Sequence, residues 1–161
     1  MAQTAALDEL YDKLLTAEEQ THEAIADEIR REFQRSGSPA MDLLLRRGGD
    51  AMEEGDTQQA IEHFTALVNH APSFAEGYHS RASAYFAAGL WGPALDDLRE
   101  VLVLAPRHFG ALFGVGNLME GLDRPEDALE VYRLILEIYP LNQQALDAVA
   151  RLEEQLRGQS L

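Results

Sequence analysis

The 161-residue chain has no cysteine, which excludes a disulfide, a thiolate metal site and a cysteine nucleophile. Lysine is nearly missing as well. Lys13 stands alone among 13 basic residues, against 28 acidic ones, for a formal net charge of -15. No basic stripe is available to neutralise phosphates, which argues against nucleic acid and anionic membrane surfaces as partners. A neutral or basic partner suits this charge better, although a spread of acidic residues also serves solubility alone. Apolar runs stop at a handful of residues, far short of the roughly 20 that cross a bilayer, so membrane insertion is not expected. No segment passes from charged to apolar as an export signal does. The start, Met1 to Ala6, is small and polar, as a mature terminus left after signal removal would be, and as a loose native start would be too.

Against these absences stands a period. Pro72, Pro106 and Pro140 lie 34 residues apart, and so do Ala60, Ala94 and Ala128. Gly48, Ala82 and Gly116 share a small-residue register, and Gly55, Gly89 and Asp123 a turn-forming one. Large residues recur at Leu44, Tyr78 and Leu112, at Phe64, Leu98 and Tyr132, and at Leu67, Val101 and Ile135. Within each period, apolar residues return at three- and four-residue spacing, which predicts two amphipathic helices parted by the turn formers. All six prolines fall at proposed boundaries, none in a helix interior where each would cost about 3 kcal/mol. Asp56 or Thr57 is expected to cap one second helix, and Asp123 with Glu126 to form a capping box at another. Trp91 is expected to staple the start of the helix that follows it. The small registers should let paired helices approach closely.

The pattern resembles the tetratricopeptide repeat, with a large residue at position 4, a small one at 8, Ala at 20, an aromatic at 24 and Pro at 32. The units are then 41–74, 75–108 and 109–142. Ala51 departs from the family's usual aromatic at position 11, and Leu67, Val101 and Ile135 are larger than its common Ala. The resemblance implies an all-α fold, an α-solenoid of stacked antiparallel helical hairpins in a right-handed superhelix, with about nine helices. Residues 5–37 are expected to form an N-terminal hairpin, a degenerate repeat or a cap, broken between Thr16 and Thr21. A detached docking arm is the other possibility for that hairpin. Residues 143–157 are expected to form a capping helix with Leu146, Val149, Leu152 and Leu156 inward, because the end of a repeat array exposes apolar surface.

The same resemblance implies a function in holding another protein. Groove-facing positions 2, 5, 6, 9, 12 and 13 of the units include Leu45, Arg46, Met52, His79, Ser83, Phe86, Phe113 and Asn117, which form the expected partner-binding groove. Chaperone-binding members of the family grip a C-terminal carboxylate with Lys, Arg and Asn; here Leu45, Gly49, Ser80, Gly110 and Gly114 fill the corresponding places. The expected role is therefore an adaptor or scaffold that is not a carboxylate-clamp cochaperone. Its partner would be a protein or peptide segment, neutral or basic, with an apolar face. The alternative is a structural subunit that self-associates through its end helices, and a monomer or weak homo-oligomer fits either role. An enzyme is not expected, and neither is a cofactor. Gly114-Val115-Gly116 lacks the spacing of a nucleotide fingerprint. His63 and His70, seven apart, lack the three- or four-residue spacing of helix-borne metal ligands, so no metal site is expected. Asp96-Asp97 and Glu153-Glu154 are assigned to solvent faces. The Arg bias and the wording of residues 35–45 and 106–112 are similar to small alphaproteobacterial members of the family. A periplasmic location follows if an export signal was removed, with the cytoplasm as the alternative.

Overall fold

The computed structural model describes residues 2–159. Among them are nine α-helices and no strand: α1 Ala2–Leu15, α2 His22–Phe33, α3 Pro39–Glu53, α4 Thr57–His70, α5 Ala75–Ala87, α6 Trp91–Leu104, α7 Phe109–Gly121, α8 Pro125–Ile138 and α9 Gln143–Gln159. None is long and apolar enough to cross a membrane.

Three turns within the repeats share one backbone solution. Gly55, Gly89 and Asp123 all take positive φ, at 78°, 74° and 57°. In each, the following amide reaches back to the third-last residue of the helix: Asp56 to Ala51 O at 2.8 Å, Leu90 to Tyr85 O at 2.8 Å and Arg124 to Met119 O at 2.9 Å. This is the Schellman closure, which satisfies carbonyls left over at a helix end. It also corrects the capping expectation for α8. Asp123 occupies the left-handed position, so the N-cap passes to Arg124, which makes no side-chain cap bond. Two repeats earlier, in the register of Arg124, Asp56 does cap, accepting the Gln59 amide at 3.0 Å. The turns after the second helices carry a different device. His108 Nδ1 accepts the Ala111 amide at 3.0 Å, and Asn142 Oδ1, 34 residues on, accepts that of Ala145 at 2.9 Å.

The chain divides into two compact units, residues 33–111 and residues 112 onward with the chain up to residue 32. In the first, α3 packs on α4, α4 on α5 and α5 on α6. Its core holds Ala51, Ala60, Phe64, Leu67 and Ala84, with Leu44, Leu45, Met52 and Phe74 packed around them. A Cβ on Gly48 would stand 2.2 Å from the Phe64 ring, so the bare backbone there is what lets the ring lie flat on α3. Trp91 is the first residue of α6, too late for the staple expected of it. Its ring stacks on Phe86 at 6.1 Å, with both rings substantially exposed.

In the second unit, α8 packs on α9 and α1 on α8. Gly116 repeats the Gly48 arrangement, a Cβ there falling 2.6 Å from the Tyr132 ring. Leu10, Leu14, Ile29, Leu118, Ile135 and Leu152 are buried. The N-terminal hairpin thus shares its unit with the last repeat, and His22 Nδ1 meets the Tyr139 hydroxyl at 2.5 Å. One expected core residue lies outside: Leu146 is exposed, and α9 buries Ala145, Ala148 and Leu152 instead.

Candidate partner-binding site

The expected groove residues fall into different surroundings. In residues 33–111, Leu45 and Met52 are half-buried against the Phe64 cluster, so their side chains already serve the core. Arg46 and Ser83 are exposed, and the Ser83 hydroxyl donates to the His79 carbonyl of its own helix at 3.2 Å. Phe86 presents its ring to solvent beside Trp91. In the other unit, Phe113 and Asn117 come together in an open cleft of about 440 Å³, completed by Glu120, Tyr132, Gln144, Asp147, Ala148 and Arg151.

The cleft is built on a fixed carboxylate. Arg151 donates to both oxygens of Glu120, at 2.7 and 2.9 Å, and Tyr132 lies 2.8 Å from Glu120 Oε1 and 2.8 Å from Asn117 Oδ1. A tyrosine hydroxyl has one proton to give, and the ionised carboxylate takes it in preference to the amide. The Arg151 bonds hold Glu120 below the usual carboxylate range, against the opposing effect of burial. Burial first, then the bond to Glu120, push Tyr132 well above the usual phenol range, so it remains a donor. The Phe113 ring lies 5.8 Å from that of Tyr132 and forms the apolar wall. Asp147, on the rim of the same cleft, accepts from Gln143 at 2.7 Å. The family resemblance singled out Phe113 and Asn117 but not Arg151, because the helical register of α9 does not reveal that its stem reaches back 31 residues to Glu120.

Two further clusters escaped the sequence. Asp97 lies buried on α6, clamped by Arg81 through two bonds of 2.7 Å, which corrects its assignment to a solvent face. The guanidinium also lies over the rings of Tyr78 and Tyr85 and reaches Thr65 of α4 at 3.4 Å, so one cation ties three helices. Glu76, His79 and His108 converge within the same unit. His79 Nδ1 is 3.4 Å and His108 Nε2 3.5 Å from the two oxygens of Glu76. The Phe33 ring packs on His108 at 4.4 Å, and the His79 ring packs on it at 4.6 Å. Burial raises the Glu76 carboxyl, but hydrogen bonds from His108 and His79 outweigh it and hold the group down at about 2. Burial pushes His108 down, against the pull of Glu76, so a neutral imidazole faces an ionised carboxylate. The histidines weighed as a pair from the sequence are elsewhere: His70 is exposed on α4 and His63 half-buried.

A profile of the tetratricopeptide repeat family matches residues 42–73. A TPR repeat-containing protein of Rhizobium etli is 31% identical over 153 residues, spanning 94% of this chain and 75% of its own length. The chain belongs to the tetratricopeptide repeat family. It is also similar to Hsp70-Hsp90 organizing protein 1 of Glycine max, at 27% identity over 119 residues, which is 74% of this chain and 21% of that protein. Among solved structures, the first TPR of Spaghetti (RPAP3) bound to the HSP90 peptide SRMEEVD superposes with a TM-score of 0.68 and 24% identity, covering 73% of this chain and 93% of that one. These likenesses establish the TPR fold for most of the chain, and with it the all-α repeat architecture. Phe113 and Asn117 lie on α7, and Glu76 and His79 on α5.

Proposed function

We propose that this TPR protein is a non-catalytic adaptor that holds a segment of another protein, with the cleft around Phe113 and Asn117 as its anchoring point. The observation that carries this reading is the cleft itself. It is open and apolar on the Phe113 side, acidic at Asp147, and lined by groove positions of a family whose members include peptide-bound domains. The segment it suits carries an apolar side chain next to a basic one, in keeping with a chain charge of -15. Phe113→Ala should abolish capture of the partner recovered from source cells while helicity is retained. Full recovery of the same partner by the variant would overturn the assignment.

The reading also separates this protein from the carboxylate-clamp cochaperones. The clamp positions hold Leu45, Gly49, Ser80, Gly110 and Gly114, none of which offers a cation to a terminal carboxylate. A fluorescent SRMEEVD peptide should therefore show no saturable binding. Micromolar binding would refute this part of the proposal.

A further inference from the structure

We propose that Glu76, His79 and His108 form a binding site for a divalent transition-metal ion of the zinc class. One ligand atom from each lies within 4.8 Å of the others. The three side chains are largely withdrawn from water, with exposures of 14%, 25% and 7%. A carboxylate so buried, if it were held by imidazole donors alone, would draw them to about 2.7–2.9 Å. The observed separations of 3.4 and 3.5 Å are longer than that. His79 Nδ1 faces one Glu76 oxygen and His108 Nε2 the other, so the three side chains converge loosely enough to close on an ion with bonds of about 2.0–2.1 Å. Two imidazoles and one carboxylate are a borderline donor set that selects zinc, cobalt or nickel over magnesium or calcium. The partly exposed His79 leaves a way in, and water completes the fourth position. A Cβ on Gly110 would press on both rings, at 3.1 Å from His108 and 3.3 Å from His79, so the small residue there keeps the site open.

Loading has a definite proton balance. His108 Nδ1 now accepts the Ala111 amide, so the neutral ring carries its proton on Nε2, facing Glu76. To offer Nε2 to an ion, the ring must move that proton to Nδ1 and release the Ala111 amide. Where His79 donates from Nδ1 to Glu76, it too must pass that proton to Nε2 before Nδ1 can bind the ion. No net proton is lost from neutral rings, and the cost of one helix cap makes the site weaker than a closed structural zinc site. The inference is independent of the partner reading, because it needs neither Phe113 nor a bound segment.

Calorimetric titration of the full chain with zinc chloride, at a pH above the histidine range, is expected to show one equivalent binding with micromolar affinity. His79→Ala and Glu76→Gln should each weaken it about tenfold or more, whereas His63→Ala and His70→Ala should leave it unchanged. Cobalt should give the visible ligand-field bands of a tetrahedral site, and the Ala111 amide resonance should shift on loading. Absence of binding at millimolar zinc would overturn the site. So would wild-type affinity in folded Glu76→Gln, or an Ala111 resonance that does not respond.

Discussion

Gly48 and Gly49 are neighbours on α3, and the structure assigns them opposite responses to the same substitution. Replacing a helical glycine by alanine gains about 0.5–1 kcal/mol by restricting the unfolded chain and favouring helix. At Gly49 a Cβ meets nothing within 4 Å, so the gain should appear in full. At Gly48 it would lie 2.2 Å from Cε1 and 2.6 Å from Cδ1 and Cζ of Phe64. Carbon atoms rest at about 3.5–4.0 Å, so the ring must retreat by more than about 1 Å. Phe64 is 2% exposed and packed beside Ala51, Ala60 and Leu67, which leaves it no free direction. Overpacking of this kind costs about 1–3 kcal/mol. Set against the helical gain, Gly48→Ala should lose about 1–2 kcal/mol and Gly49→Ala should gain about 0.5–1 kcal/mol. In a chain of this size each kcal/mol moves Tm by about 2–4 °C. Thermal and urea unfolding followed by circular dichroism should therefore place the two variants on opposite sides of the parent. Phe64→Leu should be less harmful in the Gly48→Ala background than alone, because each change relieves the other. A Gly48→Ala protein as stable as Gly49→Ala would refute the packing argument.

Asp97→Ala should leave the Arg81 guanidinium short of its partner in a mostly buried position. The expected loss is towards the lower end of about 3–5 kcal/mol, since Arg81 keeps 17% exposure, and it is measured by urea unfolding. The carboxyl of Glu120 is held below its ordinary 4.5 by Arg151, so its contribution to stability is present above that value and is lost as pH falls through the lowered folded-state pKa. Glu120→Gln should accordingly flatten the acid side of the stability–pH curve, and an unchanged slope below pH 4.5 would count against the pairing.

The second helix of each repeat and the turn before it were legible because their causes are local. A glycine register, a proline register and a 3.6-residue apolar rhythm act within a few residues, and the structure places helices α3 to α8 in that rhythm. The Asp123–Glu126 capping box was misread for a reason visible only in three dimensions: one residue cannot both hold the left-handed turn and cap the next helix. The cleft was half legible. Phe113 and Asn117 follow from repeat position, but Arg151 comes from a helix whose charged face looked solvated. The Rhizobium etli relative and the shared TPR fold support the repeat assignment; the roles of individual groove residues rest on the experiments above.

By itself, then, the sequence determined the repeat, its helices and turns, and the small residues at Gly48 and Gly116, since each follows from backbone conformation or from a period that every repeat must obey. Only the tertiary structure decided which distant side chains meet. Arg81 finds Asp97 16 residues away, Arg151 finds Glu120 31 away, His22 finds Tyr139 117 away, and Glu76 gathers two histidines. Such meetings depend on ångström-scale placement of whole helices, which a local pattern does not specify. They also placed the N-terminal hairpin in one unit with the last repeat, because apolar burial is not bound by order along the chain.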